Sequence, residues 1–167
     1  QTELYGVKCH LNHEVTAKDV QALDPDVVVL ATGSLPAIPP VQGIEKQIVL
    51  TYEDVLNGGK IPLRRVIVVG GGATGLELAL YMAEQGCSIT VIEMLPKIGS
   101  GMEAVTKKVI LEELKKYNTA LLTDTRLSKI DDSGVVVVNQ DNREKFLEAE
   151  KVVIAIGTKP DTRLYDK

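Results

Sequence analysis

The sequence predicts an α/β fold, a Rossmann-like βαβ dinucleotide-binding domain with a parallel sheet, joined to a three-stranded antiparallel β-meander. Three observations carry this. A buried-strand run from Arg65 to Val69 (RVIVV) leads straight into Gly70-Gly71-Gly72-Ala73-Thr74-Gly75. Leu76, Ala79, Leu80 and Ala83 then recur at helical spacing as far as Gly86. Beyond Asn118 the apolar period turns from helical to extended, and the polar connections are too short for parallel crossovers.

The elements follow in order. Val7 to Leu11 reads as a strand, and Thr16 with Asp19 three residues later is a capping-box pattern that starts a short helix to Leu23. Asp24-Pro25 breaks it. Asp26 to Leu30 (DVVVL) is a continuous apolar run of the kind found in a strand covered on both faces, ending at Ala31-Thr32-Gly33. Pro36, Pro39 and Pro40 exclude regular structure between Leu35 and Val41 and stiffen the path, which suits a connector. Thr51 with Asp54 begins a helix of about two turns that Asn57-Gly58-Gly59 stops, and a boundary is expected near Pro62. After the glycine turn and its helix, Ser88 to Ile92 is a second strand closed by Glu93. Glu103 to Tyr117 is a second helix with Ile110, Leu111, Leu114 and Tyr117 on one face, and Asn118 is suited to the left-handed conformation at its end. Ala120–Thr123, Arg126–Ile130, Val135–Asn139 and Lys145–Ala149 are the extended segments, at least three of them forming the meander, and Lys151 to Ile156 returns as a buried strand before Gly157.

Composition narrows the function classes. At 167 residues the chain holds one core of ordinary domain size, and 44% hydrophobic with 25% charged residues fits a globular protein. No apolar run approaches the roughly 20 residues of a membrane span, and the first residues are not a signal core, so a cytoplasmic setting is expected. A net charge of -4 gives no electrostatic support for nucleic acid. Cys9 and Cys87 form no CxxC pair and read as buried structural thiols; His10 and His13 lack companions at metal-ligand spacing and read as surface or turn residues.

The chemistry lies in the glycine turn. In GxGxxG, Gly70 permits the tight turn, Gly72 lets backbone approach a pyrophosphate, and Gly75 allows helix to pack on strand. The helix starting near Ala73 directs its free N–H groups and positive dipole end at the phosphates. The lysine of a mononucleotide P-loop is missing, so phosphoryl transfer is not indicated. Glu93, 23 positions after Gly70, is placed to accept hydrogen bonds from the adenosine ribose hydroxyls. A 2′-phosphate there would meet a negative charge, and Met94-Leu95-Pro96 offers no arginine. NAD(H) is therefore preferred over NADP(H), with Lys97 as the one basic residue able to soften the preference. Glu77 has two readings: a carboxylate favourable to the helix dipole, or a group near the nicotinamide or a partner domain. No nucleophile, base and orienter set is visible, so hydride chemistry belongs to a cofactor that the protein positions.

The run VIVVGGGATGLELALYMAEQGCSITVIEMLPKIGSGM resembles the NAD(P)H domain of the pyridine nucleotide-disulfide oxidoreductase superfamily. PDVVVLATGSLPAIPPVQGIE is similar to the segment leaving the FAD domain of those flavoproteins, and KVVIAIGTKPDTRLYD to the segment returning to it. More narrowly, TYEDVLNGGK and EMLPKIGSGM resemble the C-terminal region of NADH:flavin oxidoreductases of the enoate reductase and 2,4-dienoyl-CoA reductase type. The resemblance implies that Gly70, Gly71, Gly72, Ala73, Thr74 and Gly75 belong to the NAD pyrophosphate site, that Glu93 meets the adenosine ribose, and that Glu77, Ile156 and Gly157 lie toward the nicotinamide. It also implies FAD in the parent enzyme, with FMN and an iron-sulfur cluster in the narrower family, although the sequence has no first GxGxxG for FAD and no cysteine cluster. Asp161 stands where the broader family often has asparagine.

The expected organisation is residues 1–35 as a remnant of an interrupted FAD-type domain, 36–61 as connector, 62–157 as the NAD(H)-binding domain, and 158–167 as the return segment. The expected function is an NADH-binding module of an FAD-dependent oxidoreductase whose partners are NAD(H) and the remaining FAD and FMN-barrel domains of the parent chain, with neither nucleic acid nor membrane as a partner. Its parent would reduce activated C=C bonds, and the chain alone would not turn over. The alternatives are a nucleotide-binding regulatory module without turnover and an S-adenosylmethionine-dependent methyltransferase, which the meander and the AIG return argue against.

Overall fold

The computed structural model describes residues 5–58 and 65–165. The boundary expected near Pro62, the stop at Gly59 and the last two residues lie outside the described residues. The chain divides into two compact units, Gln1–Leu35 with Pro160–Lys167, and Pro36–Lys159.

In the first unit α1 (Ala17–Leu23) forms where the capping box predicts it: Thr16 accepts from the Asp19 N–H, and the Asp19 side chain accepts from the Thr16 N–H at 2.8 Å. Two strand expectations are corrected. Neither Val7–Leu11 nor Asp26–Leu30 forms a strand, and Val27 and Val29 are 77% and 84% exposed. The reason is physical: an apolar run becomes a buried strand only against ladder partners, and the described residues of this unit supply none. Cys9 is likewise exposed, whereas Cys87 is buried as expected. The Thr32 hydroxyl donates to the Asp161 carbonyl at 2.7 Å and the Asp161 N–H to the Gly33 carbonyl at 3.0 Å. The Arg163 guanidinium beside Asp161 holds its carboxyl at about 2. β1 (Ser34–Pro36) and β10 (Thr158–Pro160) pair as a two-stranded ladder.

The second unit is a parallel sheet with helices on one face and the meander on the other. Strands β2 (Val49–Thr51), β3 (Arg65–Val69), β4 (Ser88–Ile92), β5 (Ala120–Leu122) and β9 (Lys151–Ile154) stand in the order β2-β9-β3-β4-β5, every neighbour parallel. β3, at the centre, shows why a near-continuous apolar run was needed: Val66 and Val68 face the helices while Ile67 and Val69 face the meander, all buried. On the helical face, α3 (Ala73–Glu84) buries Leu76, Ala79, Met82 and Ala83, and α4 (Ala104–Lys116) buries Ile110 and Leu114. Glu103 caps α4 by accepting from the Val105 and Thr106 N–H groups, and Asn118 closes it at φ 54. Leu111 is half-buried and Tyr117 exposed, so the expected apolar face of α4 narrows toward its end.

On the other face, β6 (Arg126–Asp131), β7 (Gly134–Val138) and β8 (Glu144–Glu148) form the antiparallel meander, with Leu127, Ile130, Val135 and Val137 packed on Ile67, Val69, Ile92, Val152 and Ile154. The remaining extended segment, β5, joins the parallel sheet instead. β2 and α2 (Tyr52–Asn57) show that the stretch after the prolines contains regular structure: Thr51 and Asp54 cap α2 as predicted, and Val55 is fully buried in the helical-face core. Among the described residues no helix is long and apolar enough to cross a membrane.

Two outcomes test this packing. Leu76→Ala, at a fully buried position, should lower unfolding free energy by about 2–5 kcal/mol in chemical denaturation, whereas Val105→Ala, at a 68% exposed position of α4, should stay within about 0.5 kcal/mol. Because the Asp161 carboxyl lies below its ordinary 3.8, the Arg163 contact stabilises the folded chain above that value and is lost as pH falls through about 2. An NMR titration of Asp161 should therefore show a midpoint near 2 that returns toward 3.8 in Arg163→Ala.

Candidate functional site

β3 ends at Val69 between β4 on one side and β9 on the other, and the chain leaves for opposite directions at this point, the switch position where open α/β sheets bind ligands. A cleft of about 720 Å³ opens there. Val69 and Ile92, at the C-terminal ends of β3 and β4, and Ala155, just after β9, line it with the glycine turn, the segment after β4, the start of β6 and Pro39 to Val41.

The glycines divide their work as their surroundings require. Gly70 has φ 111, and a Cβ on it would overlap the Ala155 carbonyl oxygen. One on Gly75 would overlap the Gly70 carbonyl oxygen, so the first turn of α3 sits directly against the turn it follows. Gly71 is held on three sides: its N–H donates to Glu93 Oε2 at 2.7 Å, its carbonyl accepts from the Gly99 N–H at 2.6 Å, and the Ile98 side chain occupies the space a Cβ would take. Gly72 differs from all of these. It is the N-cap of α3, makes no side-chain cap bond, and has nothing within 4 Å of a Cβ position. It lines the cleft with Gly70, Ala73 and Thr74, and the uncapped N-terminal N–H groups of α3 open there.

Glu93 is half-buried and lines the cleft beside Met94 and Leu95. Its second oxygen accepts from the Leu95 N–H at 2.9 Å, so one carboxylate ties the glycine turn to the end of β4. Ile156 and Gly157 line the cleft as well, Gly157 at φ 109 with its carbonyl accepting from the Ala37 N–H at 2.9 Å. The cleft thus brings together Gly70, Gly72, Ala73, Thr74, Glu93, Ile156 and Gly157. Gly71 and Gly75 support it from behind. Glu77 is exposed on α3 and does not line it, and neither does Lys97. The basic residue that does is Arg126, which sequence spacing missed because it lies on β6, far along the chain from Glu93. Among the described residues no group of His, Cys, Asp and Glu is arranged to hold a metal.

The family profile described as pyridine nucleotide-disulphide oxidoreductase matches residues 4–167. The chain belongs to that family. It is a family of flavin- and nicotinamide-dependent oxidoreductases. The chain is 36% identical over 160 residues to an NADH oxidase of Thermoanaerobacter brockii, covering 93% of this chain and 24% of that protein. It is 34% identical over 155 residues to a bilirubin reductase of Mediterraneibacter gnavus, again with 93% and 24% covered. The solved structure of a 2-naphthoyl-CoA reductase complex superposes with a TM-score of 0.85 at 32% identity over 99% of this chain and 25% of that one. The chain therefore spans about a quarter of the length of these two relatives.

The two helix-turn glycines give a paired test. Gly75→Ala should destabilise the fold by about 1–3 kcal/mol, because the obstruction is backbone, while Gly72→Ala should leave the melting temperature unchanged.

Proposed function

We propose that this chain is the NADH-binding module of an FAD-dependent oxidoreductase. The observation that carries the reading is Gly72: an open backbone position at the uncapped N-terminus of a 12-residue helix, facing a cleft, is a cradle for a diphosphate. The Ala73 and Thr74 backbone would complete it, and Gly70, Gly71 and Gly75 would hold its shape. Glu93 keeps lone pairs beyond the two that its backbone partners use, so it can receive ribose hydroxyls, and its charge disfavours a 2′-phosphate; NAD(H) is preferred over NADP(H). Ile156 and Gly157, at the opposite strand end, would border the nicotinamide, whose bound form supplies a hydride for a flavin. Glu77, on the exposed side of α3 and beyond its first turn, is assigned no contact with the nucleotide.

The sequence contains no second glycine turn of this kind, so the flavin is assigned no site on these residues. In this reading FAD, and the FMN and iron-sulfur cluster of the narrower resemblance, belong to further domains of a longer chain. Reduction of activated C=C bonds is the parent activity we favour, in a cytoplasmic enzyme. That choice rests on the resemblance of TYEDVLNGGK and EMLPKIGSGM to the narrower family.

Fluorescence titration of the chain with NADH and NADPH tests this. NADH should bind more tightly than NADPH, Gly72→Ala should weaken NADH while the protein stays folded, and Glu93→Arg should shift the NADH-to-NADPH affinity ratio by about tenfold or more toward NADPH. An unchanged ratio in Glu93→Arg would remove the ribose assignment.

A further inference from the structure

Arg126 begins β6, is exposed, and lines the cleft together with Glu93, Leu95 and Thr125. The backbone brings it there. The Thr125 N–H donates to the Glu93 carbonyl at 2.9 Å and the Asp124 N–H to the Leu95 carbonyl at 3.1 Å, so the β5–β6 turn is fastened to the segment that follows β4. Among the described residues that line the cleft, Arg126 is the only basic side chain and Glu93 the only acidic one. Arg126 makes no ion pair among the described residues, while both Glu93 oxygens already accept backbone N–H groups. A guanidinium carries permanent charge and presents a planar fork of donors matched to phosphate oxygens.

We propose that Arg126 is a specificity-determining residue of the nucleotide site, one that attracts the 2′-phosphate of NADP(H) and so limits the preference for NAD(H) that Glu93 sets. This rests on the reading of the cleft as a dinucleotide site. Its consequence is a chain that accepts NADPH measurably, with a discrimination that depends on a residue outside the glycine turn and the strand-end acid.

The test is equilibrium titration of the full chain and of Arg126→Gln with NADH and NADPH at low and high salt, with circular dichroism to confirm folding. Arg126→Gln should weaken NADPH by about tenfold, change NADH by less than about twofold, and flatten the salt dependence of NADPH binding. Equal weakening of both nucleotides, unchanged NADPH affinity, or NADH binding by the unaltered chain with none for NADPH would overturn the role of Arg126 and leave the nucleotide site standing. Binding of neither nucleotide by the unaltered chain would overturn the nucleotide site and this role together.

Discussion

The absence of side chains at Gly70 and Gly75 lets the first turn of α3 rest on the turn that leaves β3, with the Gly70 carbonyl where a Cβ of residue 75 would be and the Ala155 carbonyl where one of residue 70 would be. Everything around the cleft depends on this close approach. It sets α3 against β3 and β9, so that Leu76, Ala79 and Met82 reach the helical-face core, and it points the uncapped N–H groups of α3 past the strand ends. A bulkier residue at either position would push the helix off the sheet and close the geometry that opens the α3 N-terminus to the cleft.

Glu93 then has two roles that share one charge. Its carboxylate secures Gly71 and Leu95 through backbone donors, which orients the turn before any ligand arrives, and it still presents negative charge to the cleft. Ile98 and Gly99 reinforce the same turn from the other side. Preorganised donors of this kind spare a bound anion the cost of ordering the loop, while Arg126 supplies the opposing charge.

Much of this was legible because long periodic segments announce themselves. β3, α3, β4 and α4 follow from apolar spacing, and both capping boxes from a Thr with an Asp three residues on. The short elements were not: β2 has three residues, too few for any period, and β5 reads as extended without revealing that it pairs with β4 and not with β6. Val27 to Leu30 has the composition of a buried strand, but composition does not supply the neighbouring ladder. At the site, the glycines and Glu93 stand in a recognisable spacing, whereas Arg126 and the Ile98-Gly99 support come to the cleft through tertiary contacts that no spacing encodes. Lys97, nearer to Glu93 in sequence, does not line the cleft, whereas Arg126 does.

In the proposed function the open backbone between Gly70 and Thr74 receives the diphosphate of NADH. Amide chemical-shift mapping of the isotopically labelled chain during NADH addition tests it directly. The account predicts saturable shifts at Gly72, Ala73, Thr74, Leu95, Ile156 and Gly157, with the exposed face of α1 unaffected. Saturable binding that leaves the Gly72 to Thr74 amides unmoved, or no binding, would contradict it.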